Sequence, residues 1–358
     1  MDYSNRFDHN IYKLFLNGLR EGGFAHARQM AGLWLGQHRQ ARKRQHRRND
    51  GPVPPILIAS LTGRCNLSCA HCYSRVHHRQ TDPELSIDQW NDIFSQADEL
   101  GISVIMLAGG EPLMRRDVVD LAGRYRDIVF PLFTNGFLID DDHALFFRRQ
   151  KNIIPIISLE GFEQDTDIRR GRGVFDVISD RMKLLAKNGI FFGASITVRA
   201  DTFSDVTGTD FFARMHSAGC RLFIFVEFVP LDAKSEKLAL TAEQRSKLMN
   251  IERLPGKNAV CIVFPGDEEQ YGGCLAAGRG FVHVNPWGGL EPCPFAPYSD
   301  VNLRNTRLEK ALGSPLMTVI RRNHDRLTET SGGCALWANR EWVEKLTAEA
   351  IAENIPQQ

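Results

Sequence analysis

The chain has 358 residues, is 43% hydrophobic and 24% charged, and carries a net charge of +1. That is the composition of an ordinary globular protein, large enough for one broad core or a barrel with an appended module, and it gives no global case for a nucleic-acid partner. No run of ~18 apolar residues marks a membrane span, the polar start MDYSNRFDHN lacks a signal-peptide core, and the eight cysteines point to metal binding or chemistry in a reducing cytosol.

Residues 1–54 form an arm without a strand-like run. Ile11, Phe15, Leu19, Met30 and Trp34 recur at helical spacing, and Arg39, Arg42, Lys43, Arg44, Arg47 and Arg48 follow. An aromatic amphipathic stretch with a polybasic end suits an anionic membrane surface, so one expectation is peripheral contact with the inner face of the membrane. Basic clusters also bind nucleic acid, a partner the overall charge does not favour. The plainer expectation is a helix packed across the fold with a solvated charged end.

Residues 55–240 alternate apolar runs with helical patterns. The runs are PILIASL, SVIMLAG, IVFPLFTNG, NIIPIISLEG, FFGASITVR and RLFIFVEFVP. Ser86 and Gln89 in LSIDQW read as a capping box opening a helix. Six strands alternating with helices predict a parallel β/α barrel or open sheet. Residues 241–345 are richer in Gly, Pro and Cys, and residues 346–358 read as a tail.

The chemistry concentrates in CNLSCAHCY, where Cys65, Cys69 and Cys72 follow the first strand. Loops after strand C-termini are where barrels gather active sites. A structural zinc site closes with four ligands, and a ferredoxin-type cluster takes four cysteines. Three cysteines thus leave one position for another ligand, unless His71, His77 or His78 closes a zinc site. The second strand ends in AGGEP, where Gly109 and Gly110 permit close backbone approach and Glu111 follows.

These segments resemble the radical S-adenosylmethionine (SAM) enzymes. Cys65, Cys69, Cys72 and the aromatic Tyr73 carry the resemblance, with GGEP, TNG and SLEG after strands two to four. It implies a partial (β/α)6 TIM-type barrel. It further implies that the three cysteines hold a [4Fe–4S] cluster whose remaining iron chelates SAM. Gly109, Gly110 and Glu111 would line the SAM amino group, Tyr73 the adenine, and Thr134 and Ser158 the ribose or methionine. Arg170 would pair with the carboxylate. In such enzymes the reduced cluster cleaves SAM to a 5′-deoxyadenosyl radical, which takes hydrogen from an unactivated C–H. The electron comes from a donor such as flavodoxin or ferredoxin.

Downstream, Cys274 and Cys293 bracket a hairpin around PWGG, and Cys334 follows in SGGCALW. The spacing C-x13-G-x4-C through Gly288 resembles the SPASM and Twitch modules of that family, here in a Twitch-like form holding one auxiliary [4Fe–4S] cluster. Cys261 in AVCIVF, His283 or a bound substrate are candidates for its fourth ligand; equally, Cys261 is a buried apolar thiol. Cys220 in AGCRLFIF reads as a core thiol. The implied activity is that of a cytoplasmic oxidoreductase or transferase acting on a small molecule or lipid precursor, with peptide modification as the alternative. A non-catalytic iron–sulfur or zinc protein is the distant one. No residue is assigned to proton or hydrogen transfer.

Overall fold

The computed structural model describes residues 23–47, 52–77, 82–251, 260–264, 272–327 and 334–354. Ile11, Phe15, Leu19, Arg48 and His78, singled out above, lie outside them, as does the side chain of His77.

The six apolar runs become parallel strands: β1 Ile56–Ser60, β2 Val104–Ala108, β3 Phe130–Thr134, β4 Ile153–Leu159, β5 Gly193–Val198 and β6 Leu222–Glu227. They pair in chain order without a reversal. A doubly wound sheet needs such a reversal to place helices on both faces. With right-handed crossovers throughout, the connecting helices instead collect on one side, which gives a partial β/α barrel. Ser86 does cap the helix Ile87–Leu100 through a full capping box with Gln89. Pro155 is tolerated inside β4 because β5 pairs with that strand only from Ile156 onward, so the missing N–H costs no ladder bond there.

The alternation along each strand divides the apolar residues into two cores. Leu57, Ala59, Leu107, Ile157, Ile196 and Phe225 join the helix-covered core. Ile56, Val104, Ile154, Ile156 and Ile224 face the inside of the barrel, where the helical residues packed among them are Met30 and Leu33. Both come from the helix Gly23–His46, which closes the barrel at the N-terminal ends of its strands. Gln37 Nε2 donates to Ser103 O at 2.7 Å and Gln29 Nε2 to Lys151 O at 2.9 Å. Arg44 donates to Gly101 O and to Ser103 Oγ, and His26 meets Phe191 edge-on. Arg39 pairs with Asp127 at 2.6 Å, Lys43 with Asp98 at 3.0 Å and Arg47 with Glu309 at 3.0 Å. The described part of the arm is thus the packed helix, and four of its basic residues are engaged within the chain. No helix among the described residues is long and apolar enough to cross a membrane.

The region set apart in sequence as 241–345 is not separate in space. β7 (Val260–Phe264) extends the sheet beside β6, and β8 (Phe281–Val284) pairs parallel to β1, with β9 (Leu290–Glu291) returning antiparallel. The helix-covered core runs through both regions. Residues 346–354 are no loose tail but belong to the helix Arg340–Asn354, which buries Val343 and Ala350.

Candidate active site

The loop from Leu61 to Cys72 leaves β1 at the end opposite the N-terminal helix. Its main chain is held from two sides. Gly110 N donates to Thr62 O at 2.7 Å, and Glu111 N donates to Arg64 O at 2.8 Å. This contact needs glycine: Gly109 has φ +115°, and a Cβ on Gly110 would stand 2.0 Å from the carbonyl oxygen of Arg64. On the far side Ala70 N donates to Arg169 O at 2.8 Å, and Arg169 Nε donates back to Ala70 O at 3.1 Å.

Glu111 ties the next two loops together. Its buried carboxylate accepts from Thr134 Oγ1 at 2.7 Å, from Asn135 N at 2.8 Å and from Leu113 N at 3.1 Å. Burial pushes this carboxyl up, against the pull of those three donors and of Arg170. Thr134 is therefore buried with its hydroxyl engaged. Asn135 reaches the cysteine loop itself, with Nδ2 2.8 Å from Asn66 Oδ1 and 3.8 Å from Cys65 Sγ. Ser158 is half-buried near the end of β4, on the inward face it shares with Ile154 and Ile156.

Glu160, 1% exposed, accepts from Arg169 at 2.5 Å and from Arg170 at 2.7 Å and 3.0 Å. Burial alone would push its carboxyl up; the two guanidiniums outweigh that and hold it below the usual carboxylate range. Both arginines also act on Cys69, whose thiol burial raises and Arg170 and Arg169 draw down, while Cys72 and Glu160 push it back up. The Cys65 thiol is raised by burial and by Glu111, Cys69 and Cys72, against a hydrogen bond from Leu67 N. Cys69 and Cys72 raise the cost of ionising Cys65, and Cys72 that of ionising Cys69, so the set needs a cation to become thiolates. Among the described residues no three His, Cys, Asp or Glu side chains converge on one ion; a cubane, whose thiolates each bind a different iron, asks for no such convergence. The residues suit a [4Fe–4S] cluster. The His71 ring stands edge-on to Phe228 at 6.0 Å.

A second thiol group lies nearby. Cys293 and Cys334 share a hydrogen bond that raises the first well above the thiol range and lowers the second, and Cys274 adds to the rise at Cys293. Trp337 N also donates to Cys334 Sγ at 3.4 Å. Tyr73 stands between the two groups: its ring meets Phe295 at 5.1 Å, and Cys72, Cys293 and Glu291 add to the effect of burial in raising its phenol.

Cys261 is not brought to this group. It lies on β7, at the other edge of the sheet, in register with Phe223 and within the helix-covered core. There it acts on Cys220, a fully buried thiol pushed up to about 12 by burial. A side chain on the core face of an edge strand points away from a loop beyond the opposite edge. His283 is likewise engaged, with Nε2 2.7 Å from Ser60 Oγ and Nδ1 2.7 Å from Glu291 Oε2. Sequence reasoning passed over Arg169, Asn135 and Glu160. Glu160 was quoted within SLEG, but nothing in the sequence marks Arg169 over Arg170.

The sequence model of the Radical SAM superfamily matches residues 59–212. The Fe-coproporphyrin III synthase of Methanosarcina barkeri is 30% identical over 155 residues, 42% of this chain and 39% of that protein, so the likeness spans well under half of the relative. The PqqA peptide cyclase of Gluconobacter oxydans is 26% identical over 308 residues, 79% of this chain and 86% of that one. The crystal structure of Streptococcus suis SuiB bound to precursor peptide SuiA superposes with a TM-score of 0.61 at 18% identity, covering 83% of this chain and 74% of that one. With the cysteine loop, the strand order and these likenesses in agreement, residues 59–212 belong to the radical SAM superfamily.

Proposed function

We propose that this radical SAM enzyme takes hydrogen from a peptide substrate, and that Cys274, Cys293 and Cys334 hold an auxiliary [4Fe–4S] cluster. The observation that carries the reading is the cysteine loop gripped at Thr62 and Arg64 by the loop after β2 and at Ala70 by the helix Glu163–Arg170 that follows β4. Bound there, a [4Fe–4S] cluster and SAM supply reductive cleavage of the sulfonium and the radical that takes hydrogen from a C–H bond.

The chain's own residues bind and orient. Gly109 and Gly110 would hold the SAM amino group, with Glu111 buttressing that turn. Arg170 commits Nε and Nη2 to Glu160, leaving Nη1 for the SAM carboxylate. Ser158, half-buried on the inward face, would meet the ribose or methionine. Thr134 serves through Glu111, to which its hydroxyl donates. Arg169 and Arg170 offset part of the burial that raises the Cys69 thiol. Tyr73, packed against Phe295 with both Cys72 and Cys293 acting on its phenol, would line the adenine from a place between the two thiol groups.

The peptide substrate follows the names of the relatives, a peptide cyclase and an enzyme bound to a precursor peptide. A tetrapyrrole is the second reading, after the coproporphyrin synthase. Flavodoxin or ferredoxin supplies the electron in the cytoplasm. Membrane contact draws no support from the arm, because Arg39, Lys43, Arg44 and Arg47 already have partners.

Anaerobically reconstituted protein should bind about eight irons, as two [4Fe–4S] clusters. It should release 5′-deoxyadenosine from SAM under dithionite, and a precursor peptide encoded beside the gene should change mass. Joint replacement of Cys65, Cys69 and Cys72 by Ala should halve the iron and abolish SAM cleavage. Stoichiometric zinc with little iron would overturn the reading; turnover of an iron porphyrin, with the peptide untouched, would move it to the tetrapyrrole.

A further inference from the structure

Ser60, His283 and Glu291 form a hydrogen-bonded chain across three strands. The two ring nitrogens of His283 bridge the other members, Nδ1 lying 2.7 Å from Glu291 Oε2 and Nε2 2.7 Å from Ser60 Oγ. The order is that of a hydrolytic triad. Burial rules out that use: Ser60 and His283 are 0% exposed and Glu291 3%, so no substrate carbonyl reaches Oγ.

Where the chain ends matters more than its chemistry. Ser60 closes β1, five residues before Cys65, and Glu291 closes β9, two residues before Cys293. β9 makes only two ladder pairs, His283 with Glu291 and Val284 with Leu290. Backbone pairing that short fixes register weakly. Glu291 is held further by Asn285, whose Nδ2 donates to Oε1 at 2.6 Å. The Oδ1 of Asn285 accepts from Trp287 N and Gly289 N, so it also sets the turn between β8 and β9. The strands leading into the two thiol groups are thus joined through one imidazole.

We infer that His283 is a positioning residue that fixes the separation and orientation of the two iron–sulfur sites. The inference rests on the auxiliary cluster of the proposed function, and it makes His283 a spacer between the sites rather than a ligand of either. Fully buried polar chains of this kind specify one arrangement when every member is satisfied. Here the arrangement specified is that of β9 against β1.

The test uses full-length reconstituted protein with both clusters reduced, read by electron paramagnetic resonance and by redox titration of each cluster. His283→Asn and Ser60→Ala should keep the wild-type iron count, shift the magnetic interaction between the two reduced clusters, and change the auxiliary potential. Ser60→Thr, which keeps the hydroxyl, should restore the wild-type spectrum. Should His283→Asn fail to fold, the Ser60 pair carries the test alone. Folded, fully loaded variants with unchanged interaction and potentials would overturn the inference and leave the proposed function standing. Wild-type protein with one cluster per chain would overturn both.

Discussion

Replacing Gly110 by Ala is the most direct probe of how the cysteine loop is held. The added Cβ would sit 2.0 Å from the carbonyl oxygen of Arg64 and 2.5 Å from its carbonyl carbon, where contacts below 3.0 Å do not occur. Both neighbours are main chain, so no side chain can swing aside; the loops after β1 and β2 must part by about 1 Å. Parting stretches the hydrogen bonds Gly110 N to Thr62 O and Glu111 N to Arg64 O beyond useful length. Overpacking plus two poorly satisfied backbone pairs comes to roughly 3–5 kcal/mol, a large part of the stability of a typical domain. The same movement displaces Cys65, the residue after Arg64. Gly110→Ala should therefore lower the midpoint of urea unfolding and, in whatever protein folds, reduce the iron bound after anaerobic reconstitution by about half. Gly32→Ala is the matched control. It lies exposed within the N-terminal helix with nothing within 4 Å of its added Cβ, and should stabilise by roughly 0.5–1 kcal/mol. Gly110→Ala protein with wild-type iron and unfolding midpoint would refute the account.

Glu160→Gln should cost roughly 3–5 kcal/mol by leaving two buried guanidiniums poorly compensated. Because the folded carboxyl lies below the ordinary glutamate range of about 4.3, its stabilisation is full above that range and is lost as pH falls through the lower folded value. The wild-type advantage over Glu160→Gln in urea unfolding should therefore be constant near neutrality and shrink in acid; an advantage that grows in acid would contradict the pairing. Cys261→Ala should leave iron content and the auxiliary resonance signal unchanged, whereas an altered signal in folded protein would bring Cys261 into the cluster. Leu33→Ala, at a position 4% exposed, should cost roughly 2–5 kcal/mol without impairing SAM cleavage in the folded fraction. Strong co-sedimentation of wild-type protein with anionic vesicles would instead restore the arm as a membrane tether.

The six barrel strands were legible because each is a continuous apolar run, the pattern of a parallel strand buried on both faces. The capping box at Ser86 and Gln89 was legible because it is local. What escaped is non-local. Met30 showed that the N-terminal helix has an apolar side, but not that it closes a barrel floor made of residues far along the chain. The alternation around Cys261 fits either direction of its thiol, and only the pairing with Phe223 and the core around it decide. His283 read as a spare ligand because its partners, Ser60 and Glu291, meet only when β8 joins β1. Arg169 left no trace because one of its partners is the main chain of Ala70, which any residue provides, and the other, Glu160, is shared with Arg170.

The pairing of β8 with β1 has a consequence for how the protein is made. Ile56 leaves the ribosome more than two hundred residues ahead of Phe281, the residue it faces. At roughly 5–20 residues per second, β1 waits on the order of ten seconds or more with one hydrogen-bonding edge open. An open apolar strand edge invites pairing with another chain, and this one leads straight into three reactive thiols. A nascent chain stalled before residue 281 would present that edge and those cysteines together, so prematurely terminated products should aggregate through β1 and cross-link on exposure to air.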